Sequence, residues 1–356
     1  MNEDVLRFAL KTKNKNPFNL LIKMKTSYRK ILLFIVLVVQ QFCTCIYSQS
    51  TNKTIHIADP TIFYHNKMYY LYGTEDNTNT ETGTPVLISK DLKLWKPGLA
   101  NNNQGYAIKK GRQTFGTVGF WAPQIISHNN KFYMLYTANE NIAVAESNSP
   151  YGPFTQTVIS SLPADSKQID PYLFIDDDGK KYLYHVRLGG GNKMYVAEFK
   201  DDFSGIKPET LKLCLTADGG WEDTKRIAAP PICEGPTVIK RKGIYYLFYS
   251  ANDFRNIDYA VGYATSNSPM GPWKKYEHNP IISREIIGLN GTGHGDVLKD
   301  KKGNYLYVFH AHYNDTKPTP RQTLIVGFKF IKNKKTGVDE IVVDKKTLKT
   351  PVLSEE

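Results

Sequence analysis

Helical periodicity is weak throughout this chain after residue 50, which excludes a helical bundle and leaves β-structure to carry the fold. Cysteine is scarce, with 4 in 356 residues, and none has zinc-type spacing, so a zinc module is excluded. Two of the four, Cys214 and Cys233, fall in the body of the chain, where a disulfide or two buried thiols would both be compatible with the sequence. No block of basic residues interleaves with aromatics, so a nucleic-acid surface is excluded despite the formal charge of +12. Residues 1–48 hold eight Lys/Arg against two Asp/Glu, half of that excess. No linker rich in Pro, Gly or Ser interrupts the remainder, so residues 49–356 read as one domain. The one long apolar run, Ile31 to Val39, is too short for a comfortable membrane span. It follows Lys23, Lys25, Arg29 and Lys30 and precedes small and polar residues ending at Ser48. That order predicts a leader and secretory signal peptide over 1–48. The product is expected to be exported to the periplasm or cell exterior, with no membrane span in its mature form.

What the chain does have is a repeat rich in tyrosine. A small or acidic residue, usually a Pro, two or three apolar residues and a polar turn lead into an aromatic run. The blocks are Ala58-Asp59-Pro60, Trp121-Ala122-Pro123, Ile169-Asp170-Pro171-Tyr172, Glu234-Gly235-Pro236 and Gly293-His294-Gly295-Asp296. Each is followed by a run such as Met68-Tyr69-Tyr70-Leu71-Tyr72 or Tyr245-Tyr246-Leu247-Phe248-Tyr249. A β-rich period of roughly 50–65 residues predicts an all-β, five-bladed β-propeller. A second repeat, Ser147-Asn148-Ser149-Pro150-Tyr151-Gly152-Pro153-Phe154 against Ser266-Asn267-Ser268-Pro269-Met270-Gly271-Pro272-Trp273, predicts a turn whose last aromatic packs between blades. Asp176-Asp177-Asp178-Gly179 lacks the ligands of an EF-hand and reads as a hairpin turn.

The register places Asp59, Asp170 and Glu234 at or beside equivalent positions, at or near the start of innermost strands. Three carboxylates sharing a funnel repel one another and shift in pKa, an arrangement with a structural cost and a chemical use. Glycoside hydrolysis needs one carboxyl group protonated to serve the leaving oxygen and another ionised to activate water. A glycan-binding propeller without catalysis is the alternative from another class, but it has no need of all three acids.

In that order the five blocks resemble glycoside hydrolase family 43, over essentially the whole chain after the leader. The resemblance implies a five-bladed propeller and inverting hydrolysis of arabinose- or xylose-containing plant polysaccharides. It implies an α-L-arabinofuranosidase or β-xylosidase acting from chain ends, with endo-action on arabinan or xylan as the alternative. By the same resemblance Asp59 matches the general base, Glu234 the general acid, and Asp170 the acid that tunes and orients the donor. Trp121 and Arg321 match substrate-binding positions, with Arg321 expected on the last inner segment. His294 matches a histidine that lies beside a structural calcium in the central channel. No cofactor is implied for the chemistry, the partner is a carbohydrate, and the protein is expected to be monomeric.

Overall fold

Apolar and aromatic runs of seven to nine residues make strands of the repeated blocks, buried on both faces for most of their length, and tight turns double them back. Three of the innermost hairpins close on two residues, Asn66-Lys67, Asn129-Asn130 and Lys242-Gly243, all at positive φ. That backbone fits the right-handed twist of the flanking strands, and Asn and Gly tolerate it best. The computed structural model describes residues 53–76, 83–99 and 104–354. The leader and signal peptide expected over 1–48 lie outside the described residues.

The described strands form five sheets. The first holds β1 (Lys53–Thr54), β2 (Ile57–His65), β3 (Met68–Glu75), β4 (Gly83–Ser89), β5 (Leu94–Pro97) and β6 (Tyr106–Lys109). The second holds β7 (Trp121–His128), β8 (Lys131–Ala138) and β9 (Asn141–Ser147). The third runs β10 (Gln168–Ile175), β11 (Lys181–Leu188), β12 (Asn192–Phe199) and β13 (Lys212–Leu215). The fourth runs β14 (Cys233–Arg241), β15 (Ile244–Ala251), β16 (Ala260–Ser266) and β17 (Lys274–Lys275). The fifth runs β18 (Gly293–Lys299), β19 (Tyr305–Ala311), β20 (Gln322–Lys332) and β21 (Asp339–Lys349). A last strand, β22 (Val352–Leu353), returns to the first sheet between β1 and β5, so residues near both ends of the described chain share one sheet.

The innermost strand of each sheet touches its neighbours in cyclic order, β2 to β7 to β10 to β14 to β18 and back to β2. Five apolar clusters fill the spaces between consecutive sheets, including one that joins the fifth to the first through Leu71, Trp95, Leu306 and Val308. This is a β-propeller arrangement, with core between sheets rather than at a centre. The two Ser-Pro turns behave alike. Phe154 packs between the first and second sheets and Trp273 between the third and fourth. Tyr72 donates its hydroxyl to Pro150 O and Tyr184 donates to Pro269 O, each at 2.5 Å. Asp176–Gly179 is a hairpin turn between β10 and β11, closed by Gly179 N donating to Asp176 O at 2.9 Å. No helix among the described residues is long and apolar enough to cross a membrane.

Candidate active site

Every innermost strand breaks its pairing register at one place: after Ala58, Trp121, Ile169, Glu234 and Gly293. The residue that follows takes positive φ in each case: Asp59 at 46°, Ala122 at 42°, Asp170 at 53°, Gly235 at 63° and His294 at 37°. Four of these are not glycine, and such backbone costs about 1–3 kcal/mol per residue unless the surroundings hold it. They do. The preceding sheet in the ring offers an acceptor to each bulge N–H. Ala122 N donates to Thr74 Oγ1, Asp170 N to Thr137 Oγ1, His294 N to Ser250 Oγ and Asp59 N to His310 Nδ1, at 2.8–3.1 Å. Thr74, Thr137, Val186, Ser250 and His310 stand at one register position of the second strands. Valine cannot accept, and at that junction Gly235 N donates instead to Asp170 Oδ2, at 3.2 Å.

The bulges aim three acids inward. Asp59, Asp170 and Glu234 are 8%, 5% and 8% exposed. Glu234 stands beside the position of the two aspartates rather than at it. Asp59 and Asp170 occupy the bulge, whereas Glu234 stands one residue before it, because Gly235 takes the left-handed position. Glycine is apt there also because a Cβ would come to 3.0 Å from the His294 ring.

Asp59 accepts from Thr74 Oγ1 at 2.6 Å and from Arg321 Nη1 at 3.0 Å. Nδ1 atoms of His294 and His310 lie 3.4 and 3.3 Å from its Oδ1. Burial, the largest single influence, would raise this carboxyl; the Arg321 guanidinium together with the His294 and His310 rings outweighs it and holds Asp59 well below the usual carboxylate range. Both rings stay largely neutral, since burial lowers His294 and pushes His310 down to about 4. Glu234 has the opposite environment. Its burial pushes it up to about 7, partly offset by Tyr259 donating to Oε1 at 2.8 Å and Asn192 Nδ2 donating to Oε2 at 2.7 Å. Asp170 is raised by burial and by the charges of Glu234 and Asp59. One acid ionised and a neighbouring pair that retains a proton are the two states that acid–base hydrolysis requires.

Arg321 departs from its expected place. It precedes β20, the third strand of the fifth sheet rather than an inner one. It reaches Asp59 by the length of its side chain. Asp76 aims it, accepting from Nε at 2.7 Å and Nη2 at 2.9 Å, a bidentate pair. The Phe254 ring lies 4.6 Å from the same guanidinium. Asp76→Ala would leave this buried cation with one partner in place of two. A loss of about 3 kcal/mol in urea denaturation is expected.

Trp121 is half-buried at the pre-bulge position of the second sheet, the counterpart of Glu234. His294 sits between carboxylates, with Nδ1 3.8 Å from Asp170 Oδ2 as well as close to Asp59. Beneath lies a channel cavity of about 20 Å³, space for roughly one water. A fourth carboxylate there, Asp296, is taken up by Thr61 Oγ1 at 2.6 Å and Val297 N at 2.7 Å. Among the described residues no three His, Cys, Asp or Glu side chains gather as ligands. With Nδ1 of His294 turned to the acids, these residues do not fit a calcium caged by protein.

Sequence reasoning missed Tyr259, Asn192, His310 and Asp76. A usable signal existed for His310: a hydroxyl residue closes the aromatic run at Thr74, Thr137 and Ser250, and histidine replaces it once. Tyr259 and Asn192 arrive from a loop end and a strand end without any motif.

A propeller that buries three carboxylates in one hollow, one lowered and two raised from their ordinary range, has the acid arrangement that glycoside hydrolysis uses. The family model described as glycosyl hydrolases family 43 matches residues 53–335, and the chain belongs to that family. It is 28% identical over 289 residues to a β-D-galactofuranosidase of Aspergillus niger, covering 75% of this chain and 78% of that one. It is 30% identical over 301 residues to an arabinoxylan arabinofuranohydrolase of Bacillus subtilis, covering 71% of this chain and 55% of that protein. Among solved structures it resembles an endo-1,4-β-xylanase of Bacteroides thetaiotaomicron, with TM-score 0.76 and 40% identity over 86% of this chain and 99% of that one. A thermostable family-43 glycoside hydrolase aligns with TM-score 0.71 at 33% identity, covering 86% of this chain and 97% of that one.

Proposed function

We propose that the protein is an exported, inverting glycosidase that removes arabinose or xylose from the ends of plant polysaccharide fragments. The observation that carries this is the contrast between two buried acids, Asp59 against the Arg321 guanidinium and Glu234 held only by the neutral donors Tyr259 and Asn192, surroundings that hold the first low and leave burial to raise the second to about 7. In this reading the five sheets serve as five blades around one funnel. Glu234 gives its proton to the glycosidic oxygen as the C–O bond breaks. Asp59 takes a proton from water, which attacks the anomeric carbon from the opposite face. Asp170 accepts from the Gly235 amide, and so holds the backbone beside the donor, and burial with the charge of Glu234 keeps a proton on the pair. Arg321 binds sugar hydroxyls while keeping Asp59 ionised, and Trp121 offers a stacking face. A calcium beside His294 would be held largely through water, and no step runs through it. Relatives named for arabinofuranoside and xyloside chemistry support the sugar class. A second reading, endo-action, is favoured by the 40% identical neighbour, titled an endo-1,4-β-xylanase.

The test is a panel of nitrophenyl glycosides, arabinan, arabinoxylan and xylo-oligosaccharides, with products resolved by size and anomer. Release of monosaccharide with inverted anomeric configuration supports the first reading; oligosaccharides from the outset support the second; retained configuration overturns the mechanism. The donor must be protonated, so kcat should fall tenfold per pH unit above an apparent pKa near 7. A flat profile from pH 6 to 9 would remove Glu234 from that role.

A further inference from the structure

We infer that Tyr259 is a positioning residue for the proton donor, its hydroxyl fixing the Glu234 carboxyl and steadying the charge that appears there during bond cleavage. This rests on Glu234 being the general acid. Tyr259 O–H meets Oε1 and Asn192 N–H meets Oε2, so each carboxyl oxygen has its own donor and the plane of the group is set. The tyrosine is wholly buried. Its ring stacks on His310 at 5.6 Å and 9°, and that histidine holds the backbone of Asp59. One stacked pair therefore braces both acids from below.

The room for that ring comes from a glycine. A Cβ on Gly293 would lie 2.1 Å from Tyr259 Cε1, and φ at Gly293 is not in the left-handed region. Glycine is thus required for space, not for backbone conformation. The corresponding residues before the other bulges are Ala58, Trp121, Ile169 and Glu234, all bearing side chains. The fifth sheet lacks one where Tyr259 crosses to the acid.

When the glycosidic bond breaks, the proton of Glu234 passes to the leaving oxygen and the O–H electron pair stays on the carboxylate. Hydrogen bonds to that carboxylate then strengthen, so the tyrosine stabilises the transition state more than the bound substrate. The demand is greatest when the leaving group is a poor one.

Tyr259→Phe keeps the ring and removes only the donor. It is assayed on the 4-nitrophenyl and methyl glycosides of whichever pentose the enzyme releases. We expect kcat on the methyl glycoside to fall roughly 10- to 100-fold, with less than about a threefold loss on the nitrophenyl glycoside and unchanged KM. Gly293→Ala, which pushes the ring off Glu234 and also shifts the His310 brace behind Asp59, should lose activity on both substrates but more on the methyl glycoside, and that difference carries the test if the phenylalanine variant does not fold. Equal losses on both substrates, or none on either, overturn the proposal. Glu234→Gln separates it from the reading beneath. If that variant cleaves the methyl glycoside near the wild-type rate, Glu234 is not the acid. If it is inactive while Tyr259→Phe responds equally to both leaving groups, only the role of Tyr259 falls.

Discussion

Glu234→Gln lowers kcat on unactivated glycosides by about 10²- to 10⁴-fold and yields a protein that is more stable, not less, at pH 8. The loss follows from removing the proton that the leaving oxygen needs, and an activated aryl leaving group should be partly spared. The gain in stability follows from linkage. Burial raises Glu234 from 4.5 to about 7, so the folded state binds its proton more tightly than the unfolded chain does. The site is undisturbed at pH 4, and a stability penalty then builds as pH rises from 4.5 through 7. By pH 8 that penalty is on the order of 3 kcal/mol. Glutamine has no charge to bury and escapes it. The loss of stability between pH 5 and pH 8 should be smaller for the variant than for the wild type, the remainder coming from Asp170 and Asp296, which burial also raises; identical pH dependence would contradict the burial argument.

Asp59→Asn should lose about 10²- to 10⁴-fold in kcat as well, but with no regard for the leaving group, because it disables the water rather than the departing oxygen. Its effect on stability has the opposite sign. A carboxyl depressed by Arg321 contributes stability above its unfolded value of 3.8, lost only as pH falls through its lower folded value. At neutral pH the variant forfeits that contribution, and Arg321 keeps Asp76 as its single charged partner. Turnover near the wild-type rate would remove Asp59 from the reaction; full loss on poor leaving groups alone would assign it the role given to Glu234.

The fold was legible because its evidence is repetitive. Each Pro-apolar-turn-aromatic block became a first and second strand, and the polar pairs at Asn66-Lys67 and Asn129-Asn130 became the turns between them. Asp59 and Asp170 were legible for the same reason, each standing just before a proline in the same frame. Glu234 carried a visible irregularity, with its proline one residue later, and that offset is the glycine bulge. Arg321 was legible as a residue but not as a position, since a long side chain can enter a site from a strand that does not line it. Asp76, Asn192 and Tyr259 were not legible. Each belongs to the site through one to three hydrogen bonds to a single residue made across distant segments, and neither spacing nor composition records such a contact.

The acceptors behind the bulges make each sheet custodian of the next one's backbone. Thr74 secures Ala122, Thr137 secures Asp170, Ser250 secures His294 and His310 secures Asp59. A lesion at one of these hydroxyl or imidazole groups would thus surface as a misplaced residue in its neighbour, not in its own sheet. Between the third and fourth sheets the duty falls to a member of the acid trio itself, Asp170. Thr74 and His310 serve twice as well, each holding the next sheet's backbone while touching the Asp59 carboxylate, so at three of the five junctions the scaffold and the acid cluster cannot be altered independently.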